Sequence, residues 1–281
     1  MDHADGFRML TPSSDSSAAS WIIENLHGFA QDVGSIVPPV FTAYLRVFHP
    51  ARIGSEGGRP VTWAEVAKAN RRTSHPEMQF HALVPHGFID QAGNMLDRQW
   101  GLWEGLPEEG SLDRDIIELL LPILRGSTQT PERCWFAFWD GWGVPVPLTR
   151  PDGNLSRVFR KSGEQPQVRG SGHESDRHRA PKFSIPSRDL LLLEGTLDDA
   201  LEGFYEPHVW PSFQSAYFWW PEDRAWCVAT EIDFMSTYIG AGKACAEAIL
   251  YTPGIEALPT NIDDRITGAS DTINPNPDNE L

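Results

Sequence analysis

Phe218-Trp219-Trp220-Pro221-Glu222-Asp223-Arg224-Ala225-Trp226-Cys227-Val228-Ala229-Thr230-Glu231-Ile232-Asp233 is the stretch whose reading decides the fold. It carries three of the eleven tryptophans. From Ala225 to Asp233 it alternates as a strand does. Successive strand side chains point to opposite faces, so Trp226, Val228, Thr230 and Ile232 share one face. Ala225, Cys227, Ala229, Glu231 and Asp233 share the other. The first set is a core candidate, with Trp226 at its centre. The second stays small until it ends in two carboxylates, about 7 Å apart at two strand rises. Trp219, Trp220 and Arg224 precede this strand and, with Trp139, are the ligand-binding candidates: the indoles read either as core fillers that each donate one hydrogen bond or as a half-exposed recognition surface, since exposed tryptophan pairs mark interfaces and ring-binding pockets.

Working outward, Cys134-Trp135-Phe136-Ala137-Phe138-Trp139-Asp140-Gly141-Trp142-Gly143 reads as a second aromatic strand that also ends in a carboxylate. If the two strands neighbour each other in parallel, Asp140, Glu231 and Asp233 converge at one sheet end, where parallel sheets commonly hold ligands. Three such acids are candidate catalytic residues, able to hold a cation or to move a proton, with Trp139 or Trp219 as a wall. Unpaired acids in a core are costly, so a cationic partner is expected. Extended back along the strand, Arg224 falls on the face of Trp226, away from Glu231 and Asp233. An arginine from residues 150–188 is therefore the expected neutralising partner. The competing reading is plainer: Glu231 pairs with a loop arginine and Asp233 caps a turn.

The other elements follow from periodicity. Ala18 to Val33 reads as a helix with Trp21, Ile22, Leu26 and Phe29 inward, capped by Asp15 or Ser16. Val40 to Phe48 reads as a strand with Phe41, Ala43, Leu45 and Val47 on one face. Thr62 and Glu65 match a capping box. Residues 71–110 are rich in His, Pro and Gly and read as mostly irregular. Leu112 to Leu124 is a strongly amphipathic helix capped by Ser111, with Pro122 expected to kink or shorten its last turn. Further strands are expected at 190–193 and 237–239, and helices at 197–204 and 241–251. The fold class implied is α+β, a single domain with a central mixed β-sheet and helices packed mainly on one face. Its limits are a flexible N-terminus at 1–16, the domain at 17–263 and an acidic tail at 264–281. Within it, residues 150–188 hold nine Arg and Lys against four acids and read as a basic, mobile insertion.

The 281 residues hold 23 basic and 39 acidic side chains, a net charge of −16. Such a surface repels phosphate, which argues against nucleic acid or an anionic membrane as partner. No stretch approaches the about 18 apolar residues of a membrane helix, and Met1 to Ser20 has no signal-peptide pattern. Three cysteines without a CxxC suit a reducing cytoplasm. His75, Glu77, His81 and His86 lack the spacing of a metal site and read as surface histidines. Gly240-Ala241-Gly242-Lys243 is a strand–helix turn without the full phosphate-binding spacing. No nucleophile signature is present; no residue is assigned as a metal ligand, and the sequence leaves the cofactor unknown. The functional expectation is a cytoplasmic binding protein of immunity-type or regulatory kind, its partner a protein or a small-molecule ligand. The alternative is a hydrolase that uses Asp140, Glu231 and Asp233 around a metal ion or an activated water.

The chain resembles an uncharacterised bacterial family of hypothetical proteins. The resemblance rests on Phe41-Thr42-Ala43-Tyr44-Leu45-Arg46-Val47-Phe48-His49-Pro50, on Cys134 to Gly141, and on Trp219 to Asp233 with Ser236-Thr237-Tyr238. It spans roughly residues 20–265, leaves out the basic insertion, and implies a common fold without a substrate.

Overall fold

The computed structural model describes residues 10–53, 58–84, 103, 105–142, 180–186, 188–201, 204–206 and 210–274. The chain is α+β, built on a nine-stranded sheet. In chain order its strands are β1 (Thr11–Pro12), β2 (Ala43–Phe48), β5 (Cys134–Trp139), β6 (Lys182–Ile185), β7 (Arg188–Gly195), β10 (Phe218–Pro221), β11 (Trp226–Ala229), β12 (Ser236–Ala241) and β13 (Ala257–Thr260). In space they run β1-β7-β5-β10-β11-β12-β2-β13, with β6 also paired to β7. Two small ribbons stand apart, β3 (Ala51–Ile53) with β4 (Arg59–Val61), and β8 (Phe204–Glu206) with β9 (Trp210–Gln214).

Every pairing among these strands is antiparallel, so the expectation of a mixed sheet is corrected. The cause is the turn Glu222 to Ala225, which folds β10 and β11 into a hairpin. Strands joined by so short a turn must run antiparallel. Arg224 sits in it at φ 55°. The Asp223 carboxylate accepts from Ala225 N at 3.2 Å, Thr128 Oγ1 at 2.7 Å and Gln129 N at 2.6 Å, pinning the turn to the loop after the long helix.

Both faces of the sheet are covered. On one, Leu45, Val47, Phe136, Phe138, Trp219, Trp226, Val228 and Ile239 pack against α3 (Arg114–Gly126) and α4 (Lys243–Leu250). On the other, Trp135, Ala137, Phe218, Trp220, Cys227, Ala229 and Tyr238 pack against α1 (Ser20–Asn25) and the segment after it. The two-sided cover explains the correction to Trp219 and Trp220. Consecutive strand residues face opposite ways, so each indole enters a different core and both are 1% exposed. A third cluster joins α2 (Trp63–Ala69) to Phe48, Phe80 and Trp103.

Several local expectations are met and others move. Thr62 and Glu65 form the capping box in both directions. Asp15 caps a 3-10 turn by accepting from Ser17 N at 2.8 Å. The helix at α1 ends at Asn25, before Gly28 at φ 67°, and Phe29 is exposed. α3 continues through Pro122 to Gly126. Ser111 does not cap it; its hydroxyl donates to Phe213 O and accepts from Ser215 N, both at 3.0 Å.

Both termini of the described chain are attached. Thr11 and Pro12 pair with β7, so residues 10–16 do not belong to a flexible arm. In the expected tail, the Asp271 carboxylate accepts from Gln79 N at 3.2 Å and faces His75 Nε2 at 2.9 Å, and Asn274 is buried. The C-terminal part of the basic segment is integral too, since Lys182–Ile185 and Arg188 are sheet residues. Residues 150–179 and 187 of the expected insertion, and His86, lie outside the described residues. No described helix is long and apolar enough to cross a membrane.

Trp226 is fully buried and its indole N–H donates to Leu124 O at 3.0 Å, joining the central hairpin to the last turn of α3. Trp226→Ala is expected to cost about 3–5 kcal/mol, combining a large cavity with an orphaned carbonyl. Urea denaturation followed by circular dichroism measures this; a loss below about 1 kcal/mol would show that the joint is not structural.

Candidate functional site

The sheet end beyond β5 and β11 collects the charged side chains that the sequence singles out. β10 lies between these strands and is antiparallel to both. They therefore run in the same direction one strand apart, and their carboxyl ends emerge together. Past Ala229 the chain leaves the sheet and turns, with Phe234 N donating to Glu231 O at 3.1 Å. Ile232 accordingly packs with Cys227 and Ala229 rather than with Trp226, a correction to the extended alternation.

Arg188, the first residue of β7, reaches across this end. Its Nη2 donates to Glu231 Oε1 at 2.7 Å and to Asp233 Oδ2 at 2.6 Å, and its Nε donates to Glu231 Oε1 at 3.2 Å. Glu231 Oε2 accepts from Asp233 N at 2.6 Å. Both oxygens of Glu231 are thus engaged. Arg188 also lies over the Trp139 ring at 5.3 Å, an added cation–π attraction. Asp140 is held separately, by Lys182 Nζ at 2.7 Å. The neutralising cations do come from 150–188, at its C-terminal end. Arg224 is not at this site: it lies over Trp21 at 5.5 Å.

Beside the clamp opens a cavity of about 180 Å³. Asp233, Phe234 and Met235 of the β11–β12 turn form one wall. Arg46 from β2, Trp63, Phe80 and His81 form another, and Glu109, Ile266 and Gly268 close the rest. Glu109 is positioned by Gly110, which takes φ 74° and packs so tightly that an added Cβ would lie 2.3 Å from Ile232 O. Burial, then the fields of Asp233 and Glu231, push the Glu109 carboxyl above its ordinary range. None of Arg46, Glu109 or this cavity was expected from the sequence. The available signal was Tyr44-Arg46-Phe48, a charge between two aromatics on the strand face opposite Leu45.

A directed hydrogen-bond chain joins the residue after β2 to β12. His49 is fully buried. Its Nδ1 lies 2.6 Å from Glu108 O, an atom that only accepts, so Nδ1 carries the proton. Nε2 therefore accepts from Thr237 Oγ1 at 2.9 Å, and Thr230 Oγ1 donates onward to Thr237 Oγ1 at 2.8 Å. Burial holds the imidazole neutral, with its pKa lowered to about 4.

The other nucleophile and metal candidates are structural. Cys134, Cys227 and Cys245 are buried and unpaired, and burial pushes all three thiols up, Cys134 to about 12. His27, Asp32 and Asp263 bring ligand atoms within 4.8 Å of one another, but His27 already pairs with Asp32 at 3.1 Å and Asp32 accepts from Ser35 N at 2.9 Å. His75 is held by Asp271 and Glu77 accepts from Arg265 N at 3.1 Å.

Two stability measurements separate these roles. Arg188 and Glu231 are 19% and 10% exposed at the side chain, whereas Lys182 and Asp140 are 51% and 39% exposed. Glu231→Ala should cost about 3 kcal/mol, as breaking a largely buried pair does, and Asp140→Ala less than about 1 kcal/mol. Equal losses in urea denaturation would contradict the assignment. For His49, the folded pKa lies below the ordinary 6.5. Its contribution to stability is complete above pH 6.5 and is lost as pH falls toward 4, by about 3 kcal/mol. Glu256 acts oppositely, since burial raises it to about 7 and its contribution is lost as pH rises from 4.5 to 7. The comparison that isolates His49 is therefore wild type against His49→Asn, whose unfolding free energy should fall less steeply between pH 6.5 and 4. Parallel curves would show that the imidazole does not carry the acid sensitivity.

Compared with protein-family models, with curated proteins and with solved structures, the chain matches none.

Proposed function

We propose that this chain is a binding protein of regulatory kind whose ligand is a small molecule seated in the cavity beside the Arg188 clamp. The observation that carries the reading is the double membership of Asp233. It accepts from Arg188 at 2.6 Å and also lines the cavity, so the ion pairs hold a wall in place. A general base or a metal ligand needs a free lone pair facing the reacting atoms. Here each of the three expected catalytic carboxylates has a cation partner, Asp140 in Lys182 and Glu231 and Asp233 in Arg188, and Glu231 has both oxygens engaged. That pairing favours a structural role for the three acids over the hydrolase reading. A protein-partner reading of immunity type draws on the acidic surface and the dense aromatics, and it loses the exposed Trp219–Trp220 face that would favour it, since both indoles are core residues. The cavity is smaller than the about 300–1,000 Å³ of drug-sized sites, which suits a metabolite. Three buried, unpaired thiols suit a reducing compartment such as the cytoplasm.

The test uses the full chain and a deproteinised cell extract. Native mass spectrometry should find a small molecule retained by the wild type and lost in Gly268→Phe. An added Cβ at Gly268 meets, among the described residues, only the His81 ring at 3.9 Å, so the variant fills space without displacing backbone. Turnover of generic ester or phosphoester substrates that Glu231→Gln abolishes without unfolding the chain would replace this reading with the hydrolase.

A further inference from the structure

We propose that the cavity takes a small zwitterion, a free α-amino acid or a molecule of the same charge pattern, with its carboxylate on Arg46 and its ammonium on Glu109. The inference rests on the small-molecule reading and adds the chemistry of the ligand.

Arg46 is a charge in the core, 4% exposed. Its Nε donates to Ser236 Oγ at 3.0 Å, and its Nη1 donates to Pro76 O and Met78 O, each at 2.8 Å. The rings of Phe48, Trp63 and Tyr238 lie 4.9, 5.5 and 5.8 Å from its Cζ. All of these partners are neutral. Buried arginines are ordinarily matched by a carboxylate, because neutral acceptors do not return the solvation of a full charge. The nearest acids are committed elsewhere: Asp271 to His75, Gln79 and Asn274, and Glu77 to Arg265 N. No described carboxylate pairs with Arg46. Nη2 makes no hydrogen bond to a described residue and is not among the buried orphan atoms, so the cavity is where it finds solvent or ligand.

Glu109 is the complement. It lines the same cavity, pairs with no described cation, and sits in the field of Asp233 and Glu231. Arg46 and Glu109 are not within ion-pairing distance of each other. Among the described residues, one cavity of about six waters' volume is therefore lined by an arginine without a carboxylate partner and a carboxylate without a cation. A molecule with both charges satisfies both at once. A simple anion would gain Arg46 but face Glu109 and Asp233, and an amine would gain Glu109 but face Arg46. The rings of Trp63, Phe80 and Phe234 leave an apolar wall for the rest of the molecule. Arg46 is preorganised on β2 by three hydrogen bonds, so little ordering cost attends binding.

The experiment is isothermal titration calorimetry and thermal shift on the full chain with the standard L-amino acids. Sulfate is the control anion. For any binder, the matching acid without the amino group and the matching amine without the carboxylate are titrated in parallel. At least one amino acid should bind, and each half-molecule should bind at least about tenfold more weakly, the worth of one charge-assisted hydrogen bond. Arg46→Lys tests the carboxylate end and is at risk of failing to fold. Glu109→Gln carries the decision, because Glu109 is surface-accessible and has no ion-pair partner among the described residues. It should not lower unliganded stability, since it removes a charge that Asp233 and Glu231 repel, and should weaken the amino acid at least about tenfold and spare the matching acid. The proposal is overturned if no amino acid binds, if the half-molecules bind equally well, or if Glu109→Gln changes nothing. Should the extract instead yield a retained molecule of another charge pattern, the small-molecule reading stands and this inference alone fails. An extract that yields nothing removes both.

Discussion

The β10–β11 hairpin is buried on both faces, and the architecture follows from that constraint. Trp219 meets Trp226 edge-on at 5.4 Å on the α3 face, while Trp220 stacks on Trp135 at 6.2 Å and meets Trp21 edge-on at 6.1 Å on the other. A strand with large indoles on both sides needs a layer on each side. α3 and α4 supply one layer, α1 and the segment following it the other. The Asp223 turn fixes the hairpin's antiparallel sense, and β5 and β12 then dock on its two free edges. The charged sheet end is a consequence, because every element that reaches it is placed by this hairpin or by a strand paired to it.

The legible parts of the fold were those in which one local signal sufficed. Thr62 and Glu65 announce a helix start through two reciprocal hydrogen bonds that involve no distant residue. Trp226 and Val228 announce a core strand because alternation and size agree. The acids at Glu231 and Asp233 were visible as a break in an apolar face, and charge balance pointed to the basic segment that supplies Arg188. Strand direction was not legible, since it depends on which strands become neighbours. Burial of Trp219 and Trp220 was not legible either. A polar Pro-Glu-Asp-Arg turn follows them, and nothing local says that both faces of a short strand will be covered. The cavity was the least visible feature. Arg46, Glu109, Phe80 and Gly268 come from four separate segments, two of them in a region without periodicity, and only the tertiary fold brings them together.

The two arginines of the site show how burial of the same side chain has different consequences. Arg188 is satisfied within the chain. It has two carboxylates, a ring face and partial solvent, and the field of Glu231 and Asp233 favours its charge. Adding a ligand there would displace protein partners of equal quality. Arg46 is desolvated to an extent that lowers its pKa despite the distant fields of Asp271 and Glu77. Its neutral partners fix its position without cancelling its charge.

That difference sets where binding energy is available. A carboxylate arriving at Arg46 meets a largely desolvated guanidinium that is already oriented, so the gain is not spent on ordering the side chain. The same burial makes the unliganded protein less stable than its apolar contacts alone would allow, since part of the desolvation cost stays uncompensated. Ligand and fold are therefore linked, with saturation stabilising the native state by RT ln(1 + [L]/Kd). Arg46 sits on β2, between β12 and β13 in the sheet. Its guanidinium also holds Pro76 O and Met78 O, in the segment where Asp271 docks the C-terminal residues. That docked segment also carries Ile266 and Gly268 of the cavity wall, so Arg46, the 76–79 segment and the C-terminal residues meet around one cavity.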